Sequence, residues 1–406
     1  MAVKYHGIDV KFANLVKARF PFVYIPTWEE DRALQMIFDA AENPDFFQSG
    51  REVYVWSQTT GIRKKGEPGK NNNTVHPSAA IDFAEKTEEN MILVLKDFHV
   101  FFGTGNRAPD YALIRRLRDY LSSSRSSGMF MKTIVFLSPV LVLPEDMQKE
   151  ITVLEFPLPT ADQIQSVMDD LIETNADVIQ VDLDKSERRS LAKAALGLTL
   201  QEAENAFSKA MVELKGLNRK AFRTVMEEKN QVIRKTGILE FIKSDLSLED
   251  IGGLENLKKW LLKRKDSWGD RAAFYHLPAP KGVLITGVPG CGKSLTAKAM
   301  SAIWELPLLK MDMGRIFSGV VGSSEENMRK AIATAEAVSP SILWIDEIEK
   351  GFASGGEATG DGGTSARVFA SFLTWMQEKE APVFVIATAN NIRTLPPELL
   401  RKGRFD

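Results

Sequence analysis

The segment from Gly287 to Ser294 has the residue types and spacing of a phosphate-binding loop. It reads Gly-Val-Pro-Gly-Cys-Gly-Lys-Ser, follows a short apolar run that predicts a buried strand, and precedes a helical pattern. Glycines let the backbone N–H groups of such a loop close around an anion at the start of the helix. We expect Lys293 to reach the β- and γ-phosphates of ATP and Ser294 to ligate Mg²⁺. The expected phosphate contacts are Pro289, Gly290, Cys291, Gly292, Lys293, Ser294 and Leu295.

Two adjacent carboxylates follow a second apolar strand, Ser341-Ile-Leu-Trp-Ile-Asp-Glu347. Asp346 is placed to hold Mg²⁺ through its water shell, and Glu347 to orient or deprotonate the attacking water. Taken singly, the glycine segment could be a chance turn and the acid pair a solvated turn. Their occurrence together, in this order, favours a nucleotide site.

A third strand, Val383-Phe-Val-Ile-Ala-Thr-Ala, ends at Asn390, whose amide is suited to lie between the γ-phosphate and the water. Arg401 and Arg404 follow in Leu-Arg-Lys-Gly-Arg-Phe-Asp, three residues apart. The planar fork of arginine matches phosphate oxygens, so these two residues are candidates for contact with the γ-phosphate.

These ordered motifs make the segment from Leu248 to Asp406 resemble the AAA branch of the P-loop ATPases. The resemblance implies that Ile251 and Gly252, in Asp-Ile-Gly-Gly, contact adenine, and that Asn390 is the first sensor. It also implies that Arg401 and Arg404 are paired arginine fingers that complete the site of a neighbouring subunit. A homo-oligomeric ring, usually of six subunits, is therefore expected.

The first half repeats the same order of elements without the same chemistry. Strand patterns start at Phe22, Val53, Met91 and Thr133, and the third of them ends at Asp97, which we pair with Asp346. At the loop position stands Thr27-Trp-Glu-Glu-Asp31, where bulky side chains block the backbone and carboxylates repel an anion. We predict an AAA-like or Rossmann-like domain that does not bind ATP in the usual way; an unrelated α/β domain is the alternative.

Pro157-Leu-Pro-Thr160 marks a boundary, and Thr160 with Gln163 suits an N-terminal cap for a following helix. Residues 160–240 are rich in Ala, Leu, Glu and Lys and predict helix throughout, resembling the helical lid that follows an AAA core. The predicted domains are residues 1–157, 158–240 and 241–406. The predicted fold class is α/β, with a parallel-sheet AAA core preceded by a helical lid-like region and a degenerate N-terminal α/β domain.

Composition narrows the function classes. The 406 residues exceed the usual single-domain range and predict two or three domains. The net charge of -2, from 52 basic and 54 acidic residues, lacks the basic excess typical of nucleic-acid binding. Cys291 is the only cysteine, so an intrachain disulfide is impossible and a reducing compartment is favoured.

The N-terminus shows no secretory signal, and the longest apolar stretch, Ile134 to Leu143, is interrupted by Ser138 and Pro139. We therefore expect a protein without a membrane span, in the cytoplasm. The whole pattern resembles an uncharacterised AAA family of cyanobacteria and algal plastid genomes, which implies the plastid stroma if the gene is plastid-encoded.

Three features depart from the AAA pattern. An AAA module would continue beyond Asp406 into its own helical lid. The stretch Ser318-Gly-Val-Val-Gly322 has Val320 where protein-threading members carry an aromatic residue. Residues 351–364 contain six glycines and predict either a loop facing the ring centre or a partner, or a disordered surface loop.

Three functional hypotheses follow. The first is an ATP-driven remodeller of protein assemblies that works as a ring. The second is a regulatory switch or scaffold in which ATP binding changes partner affinity with little turnover; the degenerate first domain and Val320 favour it. The third, a DNA-directed ATPase resembling clamp or helicase loaders, is disfavoured by the balanced charge.

Overall fold

The computed structural model describes residues 7–67, 69–103, 107–127, 130–235, 237–242, 252–268, 275, 280–304, 306–317, 323–350, 362–401 and 403–405. The chain divides into two compact units, Met1–Pro157 and Leu158–Asp406. The division falls at the predicted boundary at Pro157. Within the second unit, a separate domain at residues 158–240 stays a prediction.

The first unit contains a six-stranded sheet covered by helices on both faces. The strand order is β3-β2-β4-β5-β1-β6, and all neighbours are parallel except the antiparallel pair β2 and β3. The strands are β1 (Phe22–Pro26), β2 (Glu52–Ser57), β3 (Gly61–Lys64), β4 (Met91–Lys96), β5 (Lys132–Ser138) and β6 (Ile151–Val153). The helices are α1 (Ile8–Lys17), α2 (Glu30–Glu42), α3 (Pro77–Lys86) and α4 (Tyr111–Ser127).

Alternating residues of each strand pack in two separate hydrophobic cores, one on each face of the sheet. Phe22 and Tyr24 of β1 pack with α3 and α4 on one face, whereas Val23 and Ile25 pack with α1 and α2 on the other. Both faces of a parallel sheet are covered in this way, so its strands are apolar without interruption. The carboxyl ends of the strands remain at one edge, where loops can carry polar side chains.

The second unit begins with four helices, α5 (Ala161–Thr174), α6 (Lys185–Ala194), α7 (Leu200–Leu214) and α8 (Ala221–Lys235), and a two-stranded ladder of β7 (Gln180–Val181) and β8 (Gly216–Leu217). The predicted cap at Thr160 is confirmed as a reciprocal pair with Gln163. The expectation of helix throughout residues 160–240 is wrong at β7 and β8, which pair between the helices, and again at its end. Leu239–Ile242 forms β9, whose apolar residues complete the edge of a second sheet.

That second sheet has the order β10-β13-β12-β11-β9, parallel except for β9. Its other strands are β10 (Gly282–Thr286), β11 (Leu308–Met311), β12 (Ser341–Ile345) and β13 (Val383–Ala389). Its helices are α9 (Glu255–Arg264), α10 (Lys293–Trp304), α11 (Met313–Phe317), α12 (Ser323–Ala337) and α13 (Gly362–Glu378). Short 3-10 turns occur at residues 72–74, 98–101, 145–147, 265–268, 392–394 and 397–400.

The two sheets share a four-stranded parallel core. The order β1-β5-β4-β2 in the first unit matches β10-β13-β12-β11 in the second. The backbone N–H of Thr27 donates to the carbonyl of Ser138, and that of Gly287 donates to the carbonyl of Ala389. Thr27 therefore corresponds to Gly287, and Ser138 to Ala389, which aligns the two cores residue by residue. The predicted AAA-like repeat is confirmed at the level of strand order.

This alignment corrects one sequence pairing. Asp97, the first residue beyond β4, and Glu347, the second beyond β12, both have left-handed backbones, with φ of 52° and 50°. Lys96, paired with Leu137 across the strands, therefore takes the place of Asp346, and Asp97 takes that of Glu347. The sequence analysis paired Asp97 with Asp346 because the end of a strand cannot be located to one residue from periodicity alone.

The first unit has no room for a phosphate cradle. Only residues 27–29 join β1 to α2, whereas residues 287–292 join β10 to α10. Glu30 occupies the first helical position, where the second unit has Lys293, and its carboxylate accepts from Lys96 at 2.6 Å. The charges at the positions of Lys293 and Asp346 are thus reversed in the first unit, and they neutralise each other.

No helix in the described part of the chain is long and apolar enough to cross a membrane.

Lys229 of α8 is the most strongly buried cation described in the four-helix segment. Its side chain is 3% exposed, and Nζ donates to the carbonyl of Ala194 at the end of α6, 3.1 Å away. Burial lowers the pKa of Lys229 to about 8, because an ammonium loses hydration in the interior. The helix C-terminus offers it a partial negative charge.

Replacing Lys229 should make stability respond differently to pH. Folding lowers this pKa from 10.5 to about 8, so the buried ammonium costs stability below pH 8. The cost is relieved between pH 8 and 10.5, where the folded chain has lost a proton that the unfolded chain retains. We expect the wild type to gain about 2 kcal/mol of unfolding free energy over Lys229→Met from pH 7 to pH 10. Urea unfolding measures this. Lys220→Met, at an exposed position of the same segment, should show no such gain, and a pH-independent difference for Lys229→Met would contradict the prediction.

Candidate active site

The loop from Gly287 to Gly292 connects the end of β10 to the start of α10. Gly290 and Gly292 have φ of 83° and 87°, in the left-handed region that favours glycine. Residues Val288 to Gly292 are exposed, so the backbone of the loop is accessible to an anion at a helix N-terminus. Pro289, Cys291 and Leu295, all predicted phosphate contacts, are exposed on this loop and the first turn of α10.

Lys293 is held under the loop by the loop's own carbonyls. Its ammonium donates to the carbonyls of Gly287 at 2.8 Å and Val288 at 2.9 Å, and its side chain is buried although it is charged. The third ammonium hydrogen has only a weak acceptor, Sγ of Cys291 at 4.0 Å, which an oxygen of a bound anion could replace. The next residue, Ser294, is exposed in the first turn of α10.

The turn after β12 brings both predicted carboxylates to the edge of the sheet, where Thr388 of β13 holds them. The Thr388 hydroxyl accepts the backbone N–H of Glu347 at 3.0 Å and donates to Oδ1 of Asp346 at 2.7 Å. Its carbonyl accepts the N–H of Ile348 at 3.0 Å. Thr388 is fully buried, although the side chains of both acids are partly exposed, so its hydroxyl has no access to water and would be costly to leave unpaired. Sequence reasoning missed Thr388, although it is the one hydroxyl in an apolar strand beside two acids.

The second oxygen of Asp346 is paired with a lysine that the sequence analysis also missed. Nζ of Lys310, on β11, lies 3.2 Å from Oδ2 of Asp346 and 4.7 Å from the ring centre of Trp344. Lys310 and Trp344 are register partners on adjacent strands. The available signal for Lys310 was its position near the end of β11, the strand that precedes the acid strand in the sequence.

Asn390, which follows β13, joins the acid turn. Its Nδ2 donates to Oε1 of Glu347 at 3.0 Å, and its backbone N–H donates to Oε1 of Glu349 at 2.9 Å. Lys350 forms an ion pair with the other oxygen of Glu347. The Lys350 ammonium and then the Asn390 amide lower the pKa of Glu347, because both donate to its ionised form. Glu347 is therefore ionised at neutral pH, suited to accept a hydrogen bond from water and a weaker base than an isolated glutamate.

The two arginines do not join this cluster. Arg401 is exposed, and Arg404 donates to the carbonyl of Glu398, while Phe405 packs against the core of the second sheet. In the part of the chain that the structure describes, neither guanidinium bonds to Asp346, Glu347 or Asn390. Gly252 is exposed, and Ile251, residues 318–322, residues 351–361 and Asp406 lie outside the described residues.

The donor set fits Mg²⁺ held together with phosphates. Within the described ranges there is no cluster of three or more His, Cys, Asp or Glu side chains that could hold a metal alone. Mg²⁺ usually keeps several waters and takes one or two carboxylates plus substrate phosphates. Each oxygen of Asp346 accepts one protein donor and retains a lone pair for a metal-bound water. Asp346 and Ser294 are the residues that would hold the ion.

Comparison with known proteins covers nearly the whole chain. Residues 8–156 match the N-terminal domain of SpoVK-like AAA ATPases, residues 162–236 match the second domain of the same group, and residues 283–406 match the ATPase family associated with various cellular activities (AAA). The chain is 42% identical to the uncharacterized AAA domain-containing protein ycf46 of Guillardia theta over 97% of its length and 75% of the relative's. It is 39% identical to ycf46 of Trieres chinensis over 97% and 76%.

More distant relatives match a smaller share of the chain. The nuclear valosin-containing protein-like protein of Mus musculus is 36% identical over 40% of this chain and 20% of its own length. The same sequence pattern thus occurs in much longer proteins.

Removing the Thr388 hydroxyl should destabilise the acid turn. Thr388→Val keeps the shape of the side chain but leaves the Glu347 N–H and Oδ1 of Asp346 without this partner. We expect a loss of about 1–3 kcal/mol in the free energy of unfolding, measured by denaturant unfolding. Thr388→Ser retains the hydroxyl and should recover most of the loss. Equal stabilities for Thr388→Val and wild type would contradict the assignment.

Proposed function

We propose that this chain binds ATP with Mg²⁺ on the loop Gly287–Ser294 and hydrolyses it. The chain belongs to the SpoVK-like AAA ATPases and is related to the ycf46 proteins. The observation that carries the proposal is the hydrogen bond between Asn390 and Glu347, 3.0 Å long, at the edge of the sheet that also carries the loop. A carboxylate and an amide held together beside a phosphate loop are the parts needed to position a water.

The residues would divide the work as follows. Backbone N–H groups from Pro289 to Leu295 would bind the phosphates, and the charge of Lys293 would be directed at the β- and γ-phosphates. Mg²⁺, held by Ser294 and Asp346, would neutralise negative charge on the phosphate oxygens. Glu347 would accept a hydrogen bond from the attacking water, and Asn390 would keep Glu347 and the water in line. Ile251 and Gly252 would contact adenine.

Arg401 and Arg404 would act on the site of a neighbouring subunit. Among the described residues neither guanidinium bonds to Glu347 or Asn390, and Arg401 is exposed, which supports a role across an interface. A guanidinium that reaches the γ-phosphate stabilises charge in the transition state and contributes about 10³–10⁵ in turnover. The active form would be a homo-oligomer, with a ring of six as the expected number.

We further propose that hydrolysis is coupled to the remodelling of a protein partner. The alternative is a switch or scaffold with little turnover. The first unit favours it, because the link after β1 is only three residues long and the ion pair between Glu30 and Lys96 stands where the second unit has Lys293 and Asp346. DNA remains a disfavoured partner because the net charge is only -2. The cytoplasm, or the plastid stroma for a plastid-encoded gene, stays the expected location.

Specific activity should rise with protein concentration if catalysis is completed between subunits. We expect phosphate release per chain to increase as subunits associate, and to vanish in Lys293→Ala. The double variant Arg401→Ala/Arg404→Ala should lose about a thousandfold or more, whereas Arg393→Ala, at an exposed position nearby, should be near wild type.

Mixing two inactive variants sharpens the test. Subunits with Arg401→Ala/Arg404→Ala keep their own water-positioning residues, and subunits with Glu347→Gln keep their arginines. A mixture should regain activity when the second kind supplies arginines to the first. If activity does not recover at any mixing ratio of the two variants, or if a demonstrated monomer is fully active, arginines shared between subunits are ruled out.

Turnover should distinguish a remodelling ATPase from a switch. Glu347→Gln should retain ATP binding and lose at least about a hundredfold in phosphate release, because the amide accepts a hydrogen bond from water less well than the ionised carboxylate. A wild-type rate near or above about 1 s⁻¹ is expected for a remodeller, and one near about 10⁻² s⁻¹ or below for a switch. Steady-state phosphate release and fluorescent ATP binding measure the two quantities. Unchanged release in Glu347→Gln would exclude the role given to Glu347.

A further inference from the structure

Both oxygens of Asp346 are already engaged by side chains of the neighbouring strands. The hydroxyl of Thr388 binds Oδ1 at 2.7 Å, and the ammonium of Lys310 lies 3.2 Å from Oδ2. The hydroxyl is neutral and leaves the charge of the carboxylate in place, whereas the ammonium offsets it. Lys310 is therefore the group that decides how attractive this carboxylate is to another cation.

The strands hold Lys310 in that position. Its backbone pairs with Trp344, and its ammonium lies 4.7 Å from the centre of the indole, which is itself only 3% exposed. An aromatic face attracts a cation, most strongly where water is partly excluded. The Lys310 side chain is 31% exposed, so the pair lies at the edge of the site and is only partly screened by solvent.

A lysine offsets the charge of a second carboxylate in the acid turn. Asp346, Glu347 and Glu349 are three carboxylates within four residues, and each has a described donor. Lys350 pairs with Glu347 on one side of the turn, while Lys310 pairs with Asp346 on the other. The turn thus carries two cations for its three carboxylates, and Oε2 of Glu349 is buried without a described hydrogen-bond partner.

We propose that Lys310 is a positioning residue that acts through Asp346 as a resident counter-ion, and that it makes Mg²⁺ binding conditional on nucleotide. Without ATP, a divalent cation approaching Asp346 meets a carboxylate whose charge is already offset. With ATP, the phosphate oxygens supply the negative charge, and Oδ2 keeps a lone pair for a metal-bound water without the departure of Lys310. The inference rests on the proposed ATPase function, because it concerns the metal site of that reaction.

The test is a titration with Mn²⁺, used as a paramagnetic stand-in for Mg²⁺, in the absence of nucleotide. Free Mn²⁺ is measured by electron paramagnetic resonance on the full chain. Lys310→Met keeps the length and apolar stem of the side chain but removes the charge. We expect it to bind Mn²⁺ at least about fivefold more tightly than wild type, and Lys310→Arg, which retains the charge, to behave like wild type. The gain should disappear in Lys310→Met/Asp346→Asn.

A second neutral variant, Lys310→Gln, keeps the test informative if the methionine variant does not fold, and unfolding curves establish that each variant is native. Mn²⁺ affinity of Lys310→Met and Lys310→Gln equal to wild type would overturn the proposal, as would a gain that survives Asp346→Asn. Since no nucleotide is present, the result does not depend on hydrolysis. A chain that gains Mn²⁺ affinity in these variants but never hydrolyses ATP would keep this inference and reject the proposed enzyme activity.

Discussion

The hydroxyl of Thr388 ties the acid turn to the strand that also carries Asn390. One hydroxyl oxygen accepts the N–H of Glu347 and donates its hydrogen to Asp346, and the carbonyl of the same residue binds Ile348. Glu347 has a left-handed backbone, with φ of 50°, which is unfavourable for a residue with a side chain and persists only where its surroundings hold it. The direction of the Glu347 carboxylate therefore depends on a bond to the neighbouring strand.

The parallel sheet explains why a few hydrogen bonds are enough to assemble the candidate site. Parallel strands end at one edge, so the loop after β10, the acids after β12 and the amide after β13 meet without long-range folding of the loops. The interior below this edge is apolar, and aromatic rings such as Trp304 and Phe384 pack edge to face with centres 4.8 Å apart. A rigid apolar core of this kind keeps polar side chains at its rim within the small tolerances that catalysis needs.

Much of the site could be predicted from sequence because its parts are local. The glycine spacing of residues 287–294, the paired acids and the position of Asn390 each follow from a short motif. Thr388 and Lys310 could not be found in that way, because their importance depends on which strands are neighbours in space. The pairing of Asp97 with Asp346 was wrong by one residue for the same reason, since only strand register shows that Lys96 takes the place of Asp346.

The ion pair between Glu30 and Lys96 has a consequence for the history of the first unit. A return to phosphate chemistry would require a lysine at the helix start, an aspartate at the strand end and a longer loop. Glu30→Lys alone would set two cations side by side, and Lys96→Asp alone would set two anions side by side, so each single step is opposed by repulsion. The pair therefore opposes a stepwise gain of phosphate binding in this unit, because each single exchange creates a like-charge contact that only the other exchange removes.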